Sequence, residues 1–121
     1  MKKLATFLRM LRLQNGQVLK DMADLLGVSS AFLSAVENGK KKMPSDWYEK
    51  LRESYGLNDE QYDNLKQLAM ESQKTISLNL EDTSDSKRQL AVTFARQFND
   101  LDESVCGLIM DILERRRKKG K

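Results

Sequence analysis

Residues 19–40 constrain the fold of this chain most strongly, because their apolar positions follow the spacing of two short helices packed across a tight turn. Gly27 stands where the chain leaves the first helix, and a residue without a Cβ adopts the left-handed backbone of such a turn at no steric cost. Ser29 follows at the N-cap position of the second helix, where its hydroxyl accepts a backbone N–H. We therefore predict helices over about 18–26 and 30–38, held at an angle to each other. The predicted inward-facing residues are Met22, Ala23, Leu26, Val28, Leu33 and Val36.

The pattern extends to both sides of this pair of helices. Its flanking residues are Leu8, Leu11, Arg12, the run Val36-Glu37-Asn38-Gly39-Lys40, Pro44, Leu51 and Leu57. Over residues 4–57 the chain resembles the helix-turn-helix domain of the phage-repressor class, the Cro/CI-like or XRE-type DNA-binding proteins. The resemblance implies a mainly α chain that begins with a lambda-repressor-like five-helix DNA-binding domain.

The resemblance also implies a function. In this family the second helix of the pair enters the major groove of double-stranded DNA, so the helix near 30–38 is the expected recognition helix. One such domain covers half of a palindromic site, so we expect a homodimer that binds an operator and regulates transcription as a repressor. The alternative is an antitoxin-like protein, whose C-terminal part binds a second protein while its helix-turn-helix serves autoregulation.

The composition argues against an enzyme. The 121 residues contain one cysteine and no histidine, which excludes an internal disulfide, a zinc-finger spacing and a histidine general base. The sequence has no glycine-rich phosphate-binding loop. We therefore predict no catalytic residues, no cofactor and no metal. An apolar run of transmembrane length and a signal-peptide pattern are both lacking, so we expect a cytoplasmic protein of bacterial or phage origin without a membrane partner.

Charge is distributed unevenly along the chain. Residues 1–45 hold eight Lys and Arg against three Asp and Glu, a net charge of +5. Residues 46–86 hold four against ten, a net charge of −6, and residues 87–121 hold nine against five, a net charge of +4. The predicted helix-turn-helix therefore lies in a basic segment, as a surface that faces phosphates should.

The sequence divides into a helix-turn-helix domain over 1–73 and a C-terminal segment over 74–121. In the first part, amphipathic spacing predicts further helices over 3–14, 45–55 and 58–72.

At the start of the C-terminal segment the spacing of apolar residues changes from the helical period to alternation. Ile76, Leu78 and Leu80 alternate with polar residues, which predicts a short strand near 75–80. A lone strand is unstable in water, so this segment either pairs with another copy of the chain or stays extended and packs on helices. Two amphipathic helices follow, the first expected to open with a capping box at Ser86 and Gln89. We expect them to form an α-helical hairpin that dimerises the chain or binds a partner.

The resemblance places base-contacting residues at the start and on the outer face of the recognition helix. These residues are Ser29, Ser30, Ala31, Ser34 and Ala35. None has the forked side chain that bidentate base recognition needs, so specificity is expected to depend on DNA shape, on water or on groups outside this helix. For Phe32, a contact to a thymine methyl and packing beneath the helix are both open.

Phosphate contacts are expected from basic and backbone groups around the recognition helix. The candidates are Arg9, Lys20, Asn38, Gly39, Lys40, Lys41 and Lys42. The three consecutive lysines follow the helix in a loop, and Asn38 and Gly39 are expected to offer backbone N–H groups there. The basic run over 115–121 is either a solvated helix end or a contact to flanking DNA.

Arg12 and Glu37 match the positions at which the family places an internal ion pair between its first and third helices. We predict a structural role for this pair, which would fix the recognition helix against the first helix. Removing one partner would strand the other charge in the interior.

Overall fold

The computed structural model describes residues 3–119, with side chains up to residue 116, and this part of the chain is helical without strands. It forms two compact units, one up to Ile76 and one from Ser77 onward. Five helices build the first unit: α1 (Lys3–Gln14), α2 (Leu19–Leu26), α3 (Ser30–Glu37), α4 (Asp46–Tyr55) and α5 (Asp59–Glu71). The second unit holds α6 (Asp85–Gln97), a 3₁₀ turn (Phe98–Asp100) and α7 (Glu103–Lys119). The mainly α fold predicted from the sequence is therefore confirmed.

The hydrophobic core belongs to the first unit. All fourteen buried apolar residues lie between Leu4 and Ala69, and every helix from α1 to α5 contributes to them. The predicted inward-facing residues of α2 and α3 are buried, except that Val28 is half-buried. Trp47 of α4 is 1% exposed, and its ring meets Phe32 of α3 edge-on at 5.7 Å between centroids. The inner side of α3 therefore packs against core residues of α2 and against Trp47 of α4.

The turn between α2 and α3 has the predicted geometry. Gly27 takes a left-handed backbone with φ of 74°, and its N–H donates to the Asp24 carbonyl at 3.1 Å. The next N–H, that of Val28, donates to the Ala23 carbonyl at 3.0 Å. Ser29 then caps α3, because its hydroxyl oxygen accepts the Phe32 N–H at 3.1 Å. Each of these bonds satisfies a helix-end group that would otherwise lack a partner.

Arg12 and Glu37 form a buried ion pair between α1 and α3. The Arg12 Nη1 lies 2.6 Å from the Glu37 Oε2, and each side chain is 8% exposed. The same Nη1 lies 3.3 Å from the Met22 Sδ, so one guanidinium of α1 contacts both α2 and α3. The Arg12 carbonyl also accepts the N–H groups of Asn15 and Gln17, at 3.0 and 2.9 Å, and so closes the α1–α2 turn. The predicted pair therefore anchors α3 to the helices beneath it.

The strand expected near 75–80 is absent from the described residues. Residues 75–80 have no regular structure, and Ile76 and Leu78 are 58% and 69% exposed, so they do not pack on helices of their own chain. A strand needs a partner for its backbone groups, and this chain offers none there. The start of α6 also differs from expectation, because Ser84 rather than Ser86 caps it and accepts the Lys87 N–H at 3.2 Å.

The second unit consists of two successive helices with exposed faces. Asp102 caps α7, its carboxylate accepting the Val105 N–H at 2.9 Å. None of the described side chains from Ser77 onward is buried. The division into a helix-turn-helix domain over 1–73 and a C-terminal segment over 74–121 stays a prediction.

Among the described residues, no helix is both long and apolar enough to cross a membrane.

The buried ion pair gives the first prediction. Glu37→Gln should lower the free energy of unfolding by about 2–4 kcal/mol, because it leaves the Arg12 charge buried without a counter-charge. The melting temperature, followed by circular dichroism, should fall by on the order of 10 °C. The control is Glu53→Gln on the exposed side of α4, which should change stability by less than ~0.5 kcal/mol. Equal melting temperatures for the two variants would show that the pair is not structural.

Candidate nucleic-acid interface

The outer side of α3 is formed by small residues. Leu33 and Val36 point into the core, while Ala31 is exposed and Ser30, Ser34 and Ala35 are half-buried. Ser29 is exposed at the start of the helix, and its hydroxyl hydrogen is still available to donate after the oxygen has accepted the Phe32 N–H. The five predicted base-contacting residues therefore lie on or at the start of one helix whose opposite side is held by the core. Their side chains are short, so the α3 backbone itself can approach a groove closely.

Phe32 packs beneath α3. Its ring is half-buried and lies nearly perpendicular to the Trp47 ring, with an angle of 82° between the planes. Such an edge-to-face pair adds to the stability gained by burying the two rings. Of the two roles open from the sequence, the structure therefore favours packing over a contact to a base.

The loop after α3 directs three lysines outward. Lys40, Lys41 and Lys42 are exposed. The backbone N–H groups of Lys40 and Lys41 both donate to the Ala35 carbonyl, at 2.8 and 3.3 Å, so the loop is folded against the end of α3. Three exposed ammonium groups thus follow closely after the end of α3.

The phosphate contacts of Asn38 and Gly39 stay a prediction, and their backbone N–H groups donate within the chain. The Asn38 N–H donates to the Ser34 carbonyl at 3.0 Å, and the Gly39 N–H donates to the Val36 carbonyl at 3.1 Å. Both donors satisfy carbonyls at the C-terminal end of α3, which need partners of their own. The Asn38 side-chain amide also donates to the Ser34 carbonyl, at 2.9 Å.

Gly39 has a role that the sequence did not indicate. Its backbone is left-handed, with φ of 75°, and a Cβ at this position would lie 2.5 Å from the Ser72 carbonyl oxygen. The loop after α3 therefore lies directly against the end of α5. Ser72 is 33 residues away in the sequence, so local pattern gave no signal of this contact. It fixes the direction in which the lysine loop leaves α3.

Arg9 and Lys20 both lie at the surface. Arg9 is exposed on α1, and Lys20 is exposed near the start of α2. The Lys20 Nζ is 3.0 Å from the Asp24 carboxylate, but the two side chains are 75% and 63% exposed. A pair this exposed contributes at most about 1 kcal/mol and does not prevent Lys20 from turning to a phosphate.

A second contact missed from the sequence ties the start of α2 to α4. The Tyr55 hydroxyl donates to the Gln17 Oε1 at 2.5 Å, and burial raises the pKa of Tyr55 above its ordinary value. Gln17 stands just before α2, where Val18 offers no capping side chain. The Asp21 carboxylate accepts the Val18 N–H at 2.8 Å instead. The start of α2 is therefore fixed by contacts that replace the usual Ser or Thr cap.

The described residues do not bring three or more His, Cys, Asp or Glu side chains together in a way that could hold a metal ion.

Comparison with known proteins gives one match. The model of a helix-turn-helix domain family matches residues 3–65, from the start of α1 into α5. No curated protein and no solved structure matches the chain significantly.

The contact of Gly39 with Ser72 gives the second prediction. Gly39→Ala and Gly27→Ala both place a Cβ on a left-handed backbone, which costs about 1–2 kcal/mol. Only Gly39→Ala also pushes that Cβ into a backbone oxygen, since nothing lies within 4 Å of a Cβ at Gly27. Gly39→Ala should therefore destabilise the chain by about 1–2 kcal/mol more than Gly27→Ala in urea unfolding. Equal losses would contradict the close approach of the α3 loop to α5.

Proposed function

Because a family model matches just over half of its length, the chain belongs to the helix-turn-helix domain family, and we propose that it is a transcriptional regulator of the Cro/CI-like, XRE-type class. In this proposal α3 enters the major groove of operator DNA. Two copies bind the two halves of a palindrome, and binding represses transcription.

The observation that carries the proposal is the contrast between the two sides of α3. The inner side is fixed by core residues and, through Glu37, by the buried ion pair. The outer side carries only Ser and Ala, and the exposed Ala31 lies near its start. A helix held this firmly, with Ala31 exposed, fits a rigid element presented to a groove.

The position of the lysine loop supports the proposed phosphate binding. The loop after α3 exposes the side chains of Lys40, Lys41 and Lys42. None of the three forms an ion pair among the described residues. Each phosphate that such a side chain neutralises releases counterions, which makes affinity fall with salt. Arg9 and Lys20 are proposed as further phosphate contacts from α1 and α2.

We propose that recognition of a particular operator sequence depends little on bidentate hydrogen bonds from side chains to bases. Ser29, Ser30 and Ser34 can each exchange single hydrogen bonds with base edges or with bridging water, and Ala31 and Ala35 can contact a thymine methyl. Each such contact discriminates weakly. We therefore propose that sequence-dependent DNA shape supplies much of the specificity.

Adding a negative charge at Ala31 tests this function. Ala31→Glu should weaken binding at least ~100-fold, because a carboxylate on the outer side of α3 is repelled by the phosphates on both sides of the groove. The measurement is fluorescence anisotropy with duplexes recovered by selection from a random pool. Asn64→Glu, which adds the same charge to an exposed position of α5, should change affinity by less than about tenfold.

Two outcomes would overturn the proposed function. The first is wild-type protein that binds no selected or random duplex even at low salt. The second is an equal loss of affinity in Ala31→Glu and Asn64→Glu, which would place α3 outside the interface. For wild-type protein we expect log affinity to fall with log salt with a slope of several units, about 0.9 for each phosphate contacted.

A further inference from the structure

The second unit exposes two apolar stripes. Leu90 and Phe94 of α6, and Phe98 at the start of the 3₁₀ turn that follows it, recur every four residues and are 69%, 41% and 57% exposed. On α7 the stripe consists of Val105, Leu108, Ile109, Ile112 and Leu113, of which Ile112 is 63% exposed. Spacings of three and four residues place each set on one side of its helix. A solvated helix would not concentrate large apolar residues in this way, so these stripes indicate a docking surface.

The exposed area is close to what one partner contributes to a stable dimer. A large apolar residue has on the order of 200 Å² of surface, and seven residues of the two stripes are between 38% and 69% exposed. Together they offer on the order of 700 Å², against about 800 Å² buried per partner in a standard interface. The α7 stripe alone would supply only about half of this area, so both helices are needed.

Charged residues at the start of α7 and near its end indicate what binds to the two stripes, a second copy of this chain. Asp102 and Arg116 are exposed, and each stands seven residues from Ile109. When two copies of α7 pair in opposite directions around Ile109, the Asp102 of each copy lies opposite the Arg116 of the other. In the same register Val105 lies opposite Leu113. A parallel arrangement would instead bring like charges together at both ends, which is unfavourable.

We infer that α6 and α7 form a self-association surface, in which a second copy of this chain packs with its α7 antiparallel around Ile109. This inference deepens the proposed function and rests on it for its purpose, because the proposed function requires two copies of α3 on one operator. The association itself needs no DNA. It can therefore be measured separately from operator binding.

Each stripe has a matched control on the same helix. Met110 of α7 is 50% exposed and Val92 of α6 is 47% exposed, and both lie to the side of the stripes, Met110 about 60° and Val92 about 120° around the helix axis from the nearest stripe residue. Met110→Asp and Val92→Asp therefore add a charge to equally exposed apolar positions away from the proposed contact. Ile112→Asp and Phe94→Asp add the same charge inside it.

Sedimentation equilibrium of the full chain without DNA tests the surface. The wild-type chain should be a dimer, and Ile112→Asp and Phe94→Asp should each raise its dissociation constant at least ~100-fold, because a carboxylate would be buried without a partner. Met110→Asp and Val92→Asp should change the constant by less than about threefold. Circular dichroism should show the same helix content in all four variants when the inference holds. A monomeric wild-type chain, as expected if the surface binds a different protein, or equal effects inside and outside the stripes would overturn it.

Arg116→Glu tests the direction of pairing. In the antiparallel register it places Glu opposite Asp102 of the second copy and should weaken the dimer at least ~5-fold at low salt, with a smaller effect at high salt. An unchanged constant would contradict this register. A stable wild-type dimer that binds no DNA would overturn the proposed function alone, whereas a monomer that binds DNA would overturn only the inference about α6 and α7.

Discussion

The buried contact between Arg12 and Glu37 is the interaction on which the arrangement of α3 depends. Apolar packing holds α3 against the core, but apolar side chains tolerate small rotations and shifts of a helix. A charged hydrogen bond of 2.6 Å inside the protein tolerates much less, because any separation leaves two charges unsatisfied. We infer that the pair sets the rotation of α3 about its axis. Which residues of α3 reach the solvent follows from that rotation.

The consequence for function lies in the difference between the two sides of α3. Its inner side determines the fold, and its outer side carries little chemical information beyond small size. In the proposed complex such a surface would bring backbone close to the DNA and would leave affinity mainly to the lysine loop, which lies against α5 at the contact of Gly39 with Ser72. In this account the chain binds DNA through the fit of α3 in the groove and through lysine contacts to phosphates. It distinguishes operator sequences mainly through differences in DNA shape.

Much of the first unit could be predicted from the sequence, because its signals are local. Apolar spacing gave α1 to α5 within one or two residues of their ends, and Gly27 and Ser29 identified the turn before α3. The burial of Arg12 and Glu37 followed from the family resemblance. By contrast, the contacts of Gly39 with Ser72 and of Gln17 with Tyr55 join distant residues by backbone approach and by a single hydrogen bond, which leave no periodic trace.

The second unit shows a different limit of prediction. Alternating apolar residues at 76, 78 and 80 fit a half-buried strand, but alternation cannot reveal whether a partner strand exists. Similarly, amphipathic spacing in α6 and α7 predicts helices without saying what covers them. At Asn38 and Gly39 the sequence pattern did not indicate that the backbone N–H groups complete the end of α3.

The most direct test of the account is a dimethyl sulfate footprint on a duplex recovered by selection from a random pool. The reagent methylates guanine N7 in the major groove and adenine N3 in the minor groove. We predict that the protein protects guanine N7 in two clusters about 34 Å apart on one face of the DNA, where two copies of α3 would lie. Protection confined to adenine N3, or bound protein that leaves every guanine N7 accessible, would contradict the placement of α3 in the major groove.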